Sequence, residues 1–180
     1  MTGCSSNSKV LLHVCCGVCA GWPAAKLRAD GYDVTCFFYN PNVTPKEEYD
    51  RRRDAARKAA EAEGFAFIEG PYDHERWLEH VHGLEGEPEG GQRCVACYRL
   101  RLSAALARAG EISAGSFATT LTVSPHKNAE IINAVGTSLS AHGFLPYNFK
   151  KQDGFRRTCR FADSLSLYRQ DYCGCLYSKR

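Results

Sequence analysis

Residues 10–16, VLLHVCC, form an apolar run interrupted only by His13. A strand with one wet face alternates apolar and polar residues. A run this continuous has to be covered on both sides, as in the middle of a parallel sheet. It is also too short to cross a bilayer, which takes about 20 apolar residues. Residues 1–8 are polar, with no basic run and no cleavage site, and are expected to be a disordered tail rather than a leader. A cytoplasmic protein without a membrane partner is the resulting expectation.

The chain after this strand alternates helical and extended patterns. Gly17 ends the first strand, residues 20–30 read as a helix closed by Gly31, and residues 32–39 as a second strand ending in the turn Asn40-Pro41-Asn42. Thr44, Pro45 and Glu47 have the spacing of a capping box with proline at the first helical position, predicting a helix to about Glu63 that stops at Gly64. A short strand over 65–70 and a helix over 73–82 follow. The stretch 83–91 is loop by composition, and a helix from about Cys94 to Ala109 has Gly110 as its stop. Residues 116–123 read as a strand, Ser124-Pro125 as the cap of a helix burying Ile132, Val135 and Leu139, and residues 145–149 as a last strand before a helical, basic tail. The alternation predicts a three-layer α/β fold around a mostly parallel sheet, with residues 9–180 as one domain.

The chain carries ten cysteines. In a reducing compartment, clustered thiols point to metal or redox chemistry rather than to a disulfide framework. Cys15, Cys16 and Cys19 lie at the carboxyl end of the first strand, where open α/β sheets place their ligands. Cys94 and Cys97 share a face at the start of a helix, whose N-terminus is expected to favour thiolate. Cys173 and Cys175 form a C-x-C too tight for an ordinary zinc knuckle. Each group alone is compatible with buried thiols, a zinc site or a redox pair. Together, seven cysteines exceed one tetrahedral site. Four suffice for a [4Fe–4S] cluster, and the rest suggest a second metal or a redox thiol pair able to close a disulfide bond. Cys4, Cys36 and Cys159 receive no role.

Charge is uneven although the net value is only +3. Residues 69–89 are acidic, whereas from Phe149 onward lysine and arginine dominate, which suits a polyanion or a solvated surface. No dinucleotide fingerprint, no Walker A motif and no SGG-type pyrophosphate loop is present. CCGVC occupies the place where such a loop would follow the first strand, which disfavours nucleotide hydrolysis.

The motifs LLHVCCGVCA (11–20), FFYNPNVTPKEEYDRR (37–52), EGGQRCVACYRLRL (89–102), FATTLTVSPHKN (117–128) and LYRQDYCGCLYSKR (167–180) occur in one order. In this set the chain resembles the QueH-type epoxyqueuosine reductases. The resemblance implies a fold similar to adenine-nucleotide α-hydrolase-like (Rossmann-like) domains. It also implies reduction of epoxyqueuosine to queuosine at the tRNA wobble position, with a [4Fe–4S] cluster and a second iron nearby. Carried onto this sequence, Cys15, Cys16, Cys94 and Cys97 are the expected cluster ligands, and Cys173 and Cys175, with Cys19 or a carboxylate, the second metal's. Partners would be the tRNA anticodon loop carrying epoxyqueuosine and an unidentified electron donor.

Removal of an epoxide oxygen as water needs two electrons and two protons. Asp171, if buried, and Tyr168 are candidate proton donors beside the C-x-C, whereas His13 inside a strand reads as structure. Lys127, Lys150, Lys151, Arg156, Arg157, Arg99 and Arg101 are candidate phosphate contacts. Tyr39 and Tyr98 are candidate stacking rings and Phe38 reads as core; the run 51–53 is a phosphate patch or a solvated face. Rival readings are cluster-dependent tRNA thiolation, a zinc-binding RNA module and a thiol–disulfide oxidoreductase, the last explaining only one cysteine group.

Overall fold

The computed structural model of the chain describes residues 8–178; the predicted tail over 1–7 lies outside them, while Ser8 already belongs to a strand. Four parallel strands, β1 (Ser8–Val14), β2 (Tyr32–Phe38), β3 (Ala66–Glu69) and β4 (Ser116–Thr119), line up in the order β3-β2-β1-β4. β1 pairs along its full length with β2, Ser8 opposite Tyr32 through Val14 opposite Phe38, and with β4 on its other edge. It is therefore central, as its unbroken apolar run requires.

Alternate residues of β1 feed two cores. Val10, Leu12 and Val14 pack with α1 (Gly17–Ala29), α2 (Lys46–Ala62) and Ala162 of α6 (Gly154–Ser164). Leu11 points the other way, into a core with Leu102, Ala105 and Ala109 of α4 (Gln92–Glu111) and Ile132 and Val135 of α5 (Ala129–Leu139). Helices thus cover both faces, giving the expected three layers. The short α3 (His74–His80) leans on α4, with Trp77 buried.

Several local expectations are corrected. The helix α2 starts at Lys46 with Pro45 as its N-cap residue and no side-chain cap, so Thr44 forms no capping box. Its predicted stop holds, with Gly64 at φ +72°. The helix α4 begins two residues before Cys94 and runs past Gly110 to Glu111; the left-handed residue after it is Ser113. β4 ends at Thr119, because residues 120–123 wind into a 3-10 turn. Asn128, not Ser124, caps α5, its Oδ1 accepting from the amides of Glu130 and Ile131. The fifth strand expected over 145–149 shrinks to one parallel bridge between Phe117 and Phe144. Pro146 has no N–H to continue the ladder.

Candidate functional site

The site grows from the junction of β1 and α1. Cys15 follows the strand, and Cys16 is the N-cap residue of α1, its Sγ accepting from the Cys19 amide at 3.3 Å. One helical turn brings Cys19 back over Cys16, with their sulfurs 2.6 Å apart; the Cys15 and Cys16 sulfurs are 3.8 Å apart. All three thiols lie within 4.8 Å of one another. Gly17 permits this turn to sit close to α2: a Cβ there would meet the Ala55 backbone at 2.6 Å. Thr120 clamps the loop from β4's side, accepting from the Cys15 amide at 3.1 Å and donating to its sulfur at 3.4 Å.

Helix α4 brings the second group. Cys94, Cys97 and Arg101 recur at three and four residues and so share one face. Cys94 is partly buried against the core that also receives Cys15, whereas Cys97 is buried beside Trp77 and Cys175. The expected thiolate at Cys97 is not favoured: burial pushes its thiol up, opposed by Arg101.

The third group arrives on a C-terminal strap tied down by a buried ion pair. Arg52 Nε donates to Glu48 Oε1 at 2.7 Å, and its other nitrogens donate to the carbonyls of Cys173 at 2.7 Å and Tyr172 at 3.2 Å. Glu48 Oε2 accepts from the Tyr168 hydroxyl at 2.8 Å. Gly174, at φ +105°, lies against the guanidinium, which a Cβ would meet at 2.6 Å. Arg52 is thus a buried anchor, not part of a phosphate patch or a solvated face. Tyr168 has its proton committed to Glu48. Asp171 is exposed, without the burial on which an acid role depends.

The electrostatics differ within each group. Cys15 is held well below the ordinary thiol range by hydrogen bonds from Cys16 and Cys19, with help from Arg101 and Thr120. Burial pushes Cys16 up to about 12, and hydrogen bonding to Cys15 and Cys16 raises Cys19. Cys173 is lowered chiefly by a hydrogen bond from Cys175, then by Lys127 and Arg101, and Cys175 is raised in return. Each of these two groups thus favours thiolate at one sulfur, Cys15 or Cys173, and disfavours it at its neighbours.

The common neighbour is Arg101, which sequence reasoning placed against phosphates. It is 2% exposed, donates to Asn40 Oδ1, hydrogen-bonds to Cys97 and interacts electrostatically with Cys15 and Cys173. Lys127 also turns inward, its Nζ 3.5 Å from Cys173 Sγ. Tyr39 and Tyr98, like Phe38, are buried and offer no stacking surface. His13 is structural. Its Nε2 meets the Tyr39 carbonyl at 3.1 Å and so carries the hydrogen, while Nδ1 accepts from the Thr119 hydroxyl at 2.8 Å. The disulfide expectation is overturned: the described cysteines, Cys36 and Cys159 included, are all free.

Residues 10–180 match the family model described as epoxyqueuosine reductase QueH. The chain belongs to the epoxyqueuosine reductase QueH family. It is 37% identical to the epoxyqueuosine reductase QueH of Streptococcus pyogenes serotype M1, over 98% of this chain and 72% of that protein. The QueH protein of Acinetobacter baylyi is 38% identical, over 96% of this chain and 81% of its own length. Among solved structures, the U34-tRNA thiolase NcsA from Methanococcus maripaludis with its [4Fe-4S] cluster superposes at a TM-score of 0.58 and 17% identity, covering 98% of this chain and 63% of that one. That likeness shows a shared fold between this QueH family member and the thiolase. No helix among the described residues is long and apolar enough to cross a membrane.

What sequence reasoning missed are Thr120, Glu48 and Arg52, which hold the thiol-bearing segments, and Asn40, which accepts from Arg101. Only Arg101 carried a readable signal, one helical turn beyond Cys97 on the cysteine face.

Proposed function

We propose that this QueH family member reduces epoxyqueuosine to queuosine in tRNA, with residues 9–180 working as one catalytic domain and a [4Fe–4S] cluster and a second iron bound by its three thiol groups. The observation that carries the reading is the gathering of Cys15, Cys97 and Cys173, from segments far apart in sequence, around one buried cation. The donor set suits iron: thiolates and thiols, partly buried, with no disulfide among the described residues.

In this reading Cys15, Cys16, Cys94 and Cys97 hold the cluster and Cys173 and Cys175 the second iron. Cys19 stands against Cys16 at the junction and completes either set. When bound, such a centre supplies electrons singly and polarises the epoxide oxygen. The chain's own residues do the rest. Lys127, beside Cys173, steadies negative charge at the reacting end. Tyr168 and Glu48 keep the strap in place, while Asp171 stays exposed on its outer side. The anticodon loop approaches over the polar cleft lined by His126, Lys127, Asn148 and Lys150, about 440 Å³ in volume. Electrons come from an external donor.

Anaerobic protein reduced with dithionite and given tRNA bearing epoxyqueuosine should yield queuosine, seen by nucleoside mass spectrometry as loss of one oxygen. The Cys173→Ser/Cys175→Ser variant should lose turnover at least 100-fold. Wild-type turnover after complete removal of iron would sink the metal reading. An iron-replete preparation that leaves the epoxide untouched would sink the substrate and turn attention to thiolation.

A further inference from the structure

Among the described residues, Arg101 is a buried charge with no carboxylate partner. Arg101 is 2% exposed, its Nε has no hydrogen-bond partner, and its side-chain partners are the neutral amide oxygen of Asn40 and the Cys97 sulfur. Asn40 is itself fixed, fully buried and donating to the Val14 carbonyl at 3.0 Å. None of the ion pairs among the described residues includes Arg101. The buried Arg52 has Glu48; Arg101 has no carboxylate. A lone buried guanidinium is costly unless an anion faces it. What faces it are sulfurs from all three cysteine groups: Cys97 one turn earlier on the same helix, Cys15 and Cys173.

We propose that Arg101 is a positioning residue for electron entry: its uncompensated guanidinium is the fixed countercharge of the metal–thiolate centre and sets the potential at which that centre takes an electron. This inference rests on the iron–sulfur reading above. A thiolate-bound cluster is a net anion, and reduction adds one more negative charge. A cation held against it favours the reduced state, and charge near a cluster is one of the levers on its potential. Arginine suits the task because it stays protonated in every redox state, so the field does not drain away when the electron arrives. The step is a one-electron reduction. Dithionite gives the electron, the centre accepts it, and Arg101 neither gains nor loses a proton.

The experiment is an EPR-monitored redox titration of anaerobically reconstituted wild type, Arg101→Lys and Arg101→Gln, with iron and sulfide quantified in each. Arg101→Lys keeps the charge and should hold the reduction equilibrium constant within about threefold. Arg101→Gln should lower it tenfold or more, about 59 mV for a one-electron couple. Asn40→Asp keeps the arginine but hands it a carboxylate, and should produce the same fall even if Arg101→Gln does not retain a cluster. Potentials unchanged in the charge-altering variants, or displaced equally in Arg101→Lys, overturn the inference while leaving the iron–sulfur reading intact. A wild type that binds no cluster overturns both.

Discussion

At the scale of single residues, the site works by contrast between neighbours of the same type. Arg52 and Arg101 are both buried, one neutralised by a carboxylate and one turned toward sulfur. His13 has the simplest consequence. Burial, reinforced by Arg101, lowers its pKa from 6.5 to about 3, so the imidazole is neutral in the folded protein at ordinary pH. The unfolded chain binds a proton near pH 6.5, and the folded chain only near 3. The contribution of His13 to stability is therefore complete above 6.5 and falls as the pH drops toward 3. Nitrogen-15 NMR should find the Nε2-protonated neutral tautomer throughout pH 5 to 8. Denaturant unfolding of the metal-free protein should lose about 2 kcal/mol between pH 6.5 and 5 from this group, and the His13→Gln variant should lose less. The structural reading of His13 was available from its place in an apolar strand. The inward turn of Arg101 and Lys127 was not, because a long cationic side chain reads as solvated unless its helix face is already known to be occupied.

At the scale of elements, the sheet and its covering helices were legible from hydrophobic pattern and glycine stops, while caps and late strands were not. Thr44, Pro45 and Glu47 fit a capping box by spacing, yet the chain enters α2 one residue later, with Thr44 bonded instead through its amide to the Gly174 carbonyl at 2.9 Å. A contact 130 residues away in sequence had outweighed a local rule. Tight packing of elements carries two predictions. Gly17→Ala drives a methyl group into the Ala55 backbone, and should cost about 1–3 kcal/mol in denaturant unfolding while also lowering metal content. Arg52→Met leaves Glu48 buried without its cation and cuts two bonds to the strap. It should cost about 3–5 kcal/mol, with hydrogen exchange rising first over residues 168–178.

At the scale of the whole molecule, the acidic and basic ends that sequence composition separates also differ in structure. Arg93 folds the acidic loop inward, donating to the carbonyls of Leu84 at 3.3 Å and Glu85 at 2.9 Å. On α6, Arg156 and Arg160 project into solvent, while Arg157 stacks over Trp22 at 4.6 Å. If the basic end carries the tRNA, binding weakens with salt, and the Arg156→Gln/Arg160→Gln variant should flatten a plot of log affinity against log salt by about 1–2 in slope. An unchanged slope would move the RNA to another face.

The tie between Arg52 and the strap also bears on how the protein is made. Cys173 leaves the ribosome 76 residues after Cys97, and the arginine that receives it has by then long been in place. The site is therefore completed only after the sheet, α2 and α4 have all been made. Iron offered before the strap docks meets partial sets of thiols, and loading that is selective for the assembled site discriminates against chains in which Arg52 has not yet received the Cys173 carbonyl.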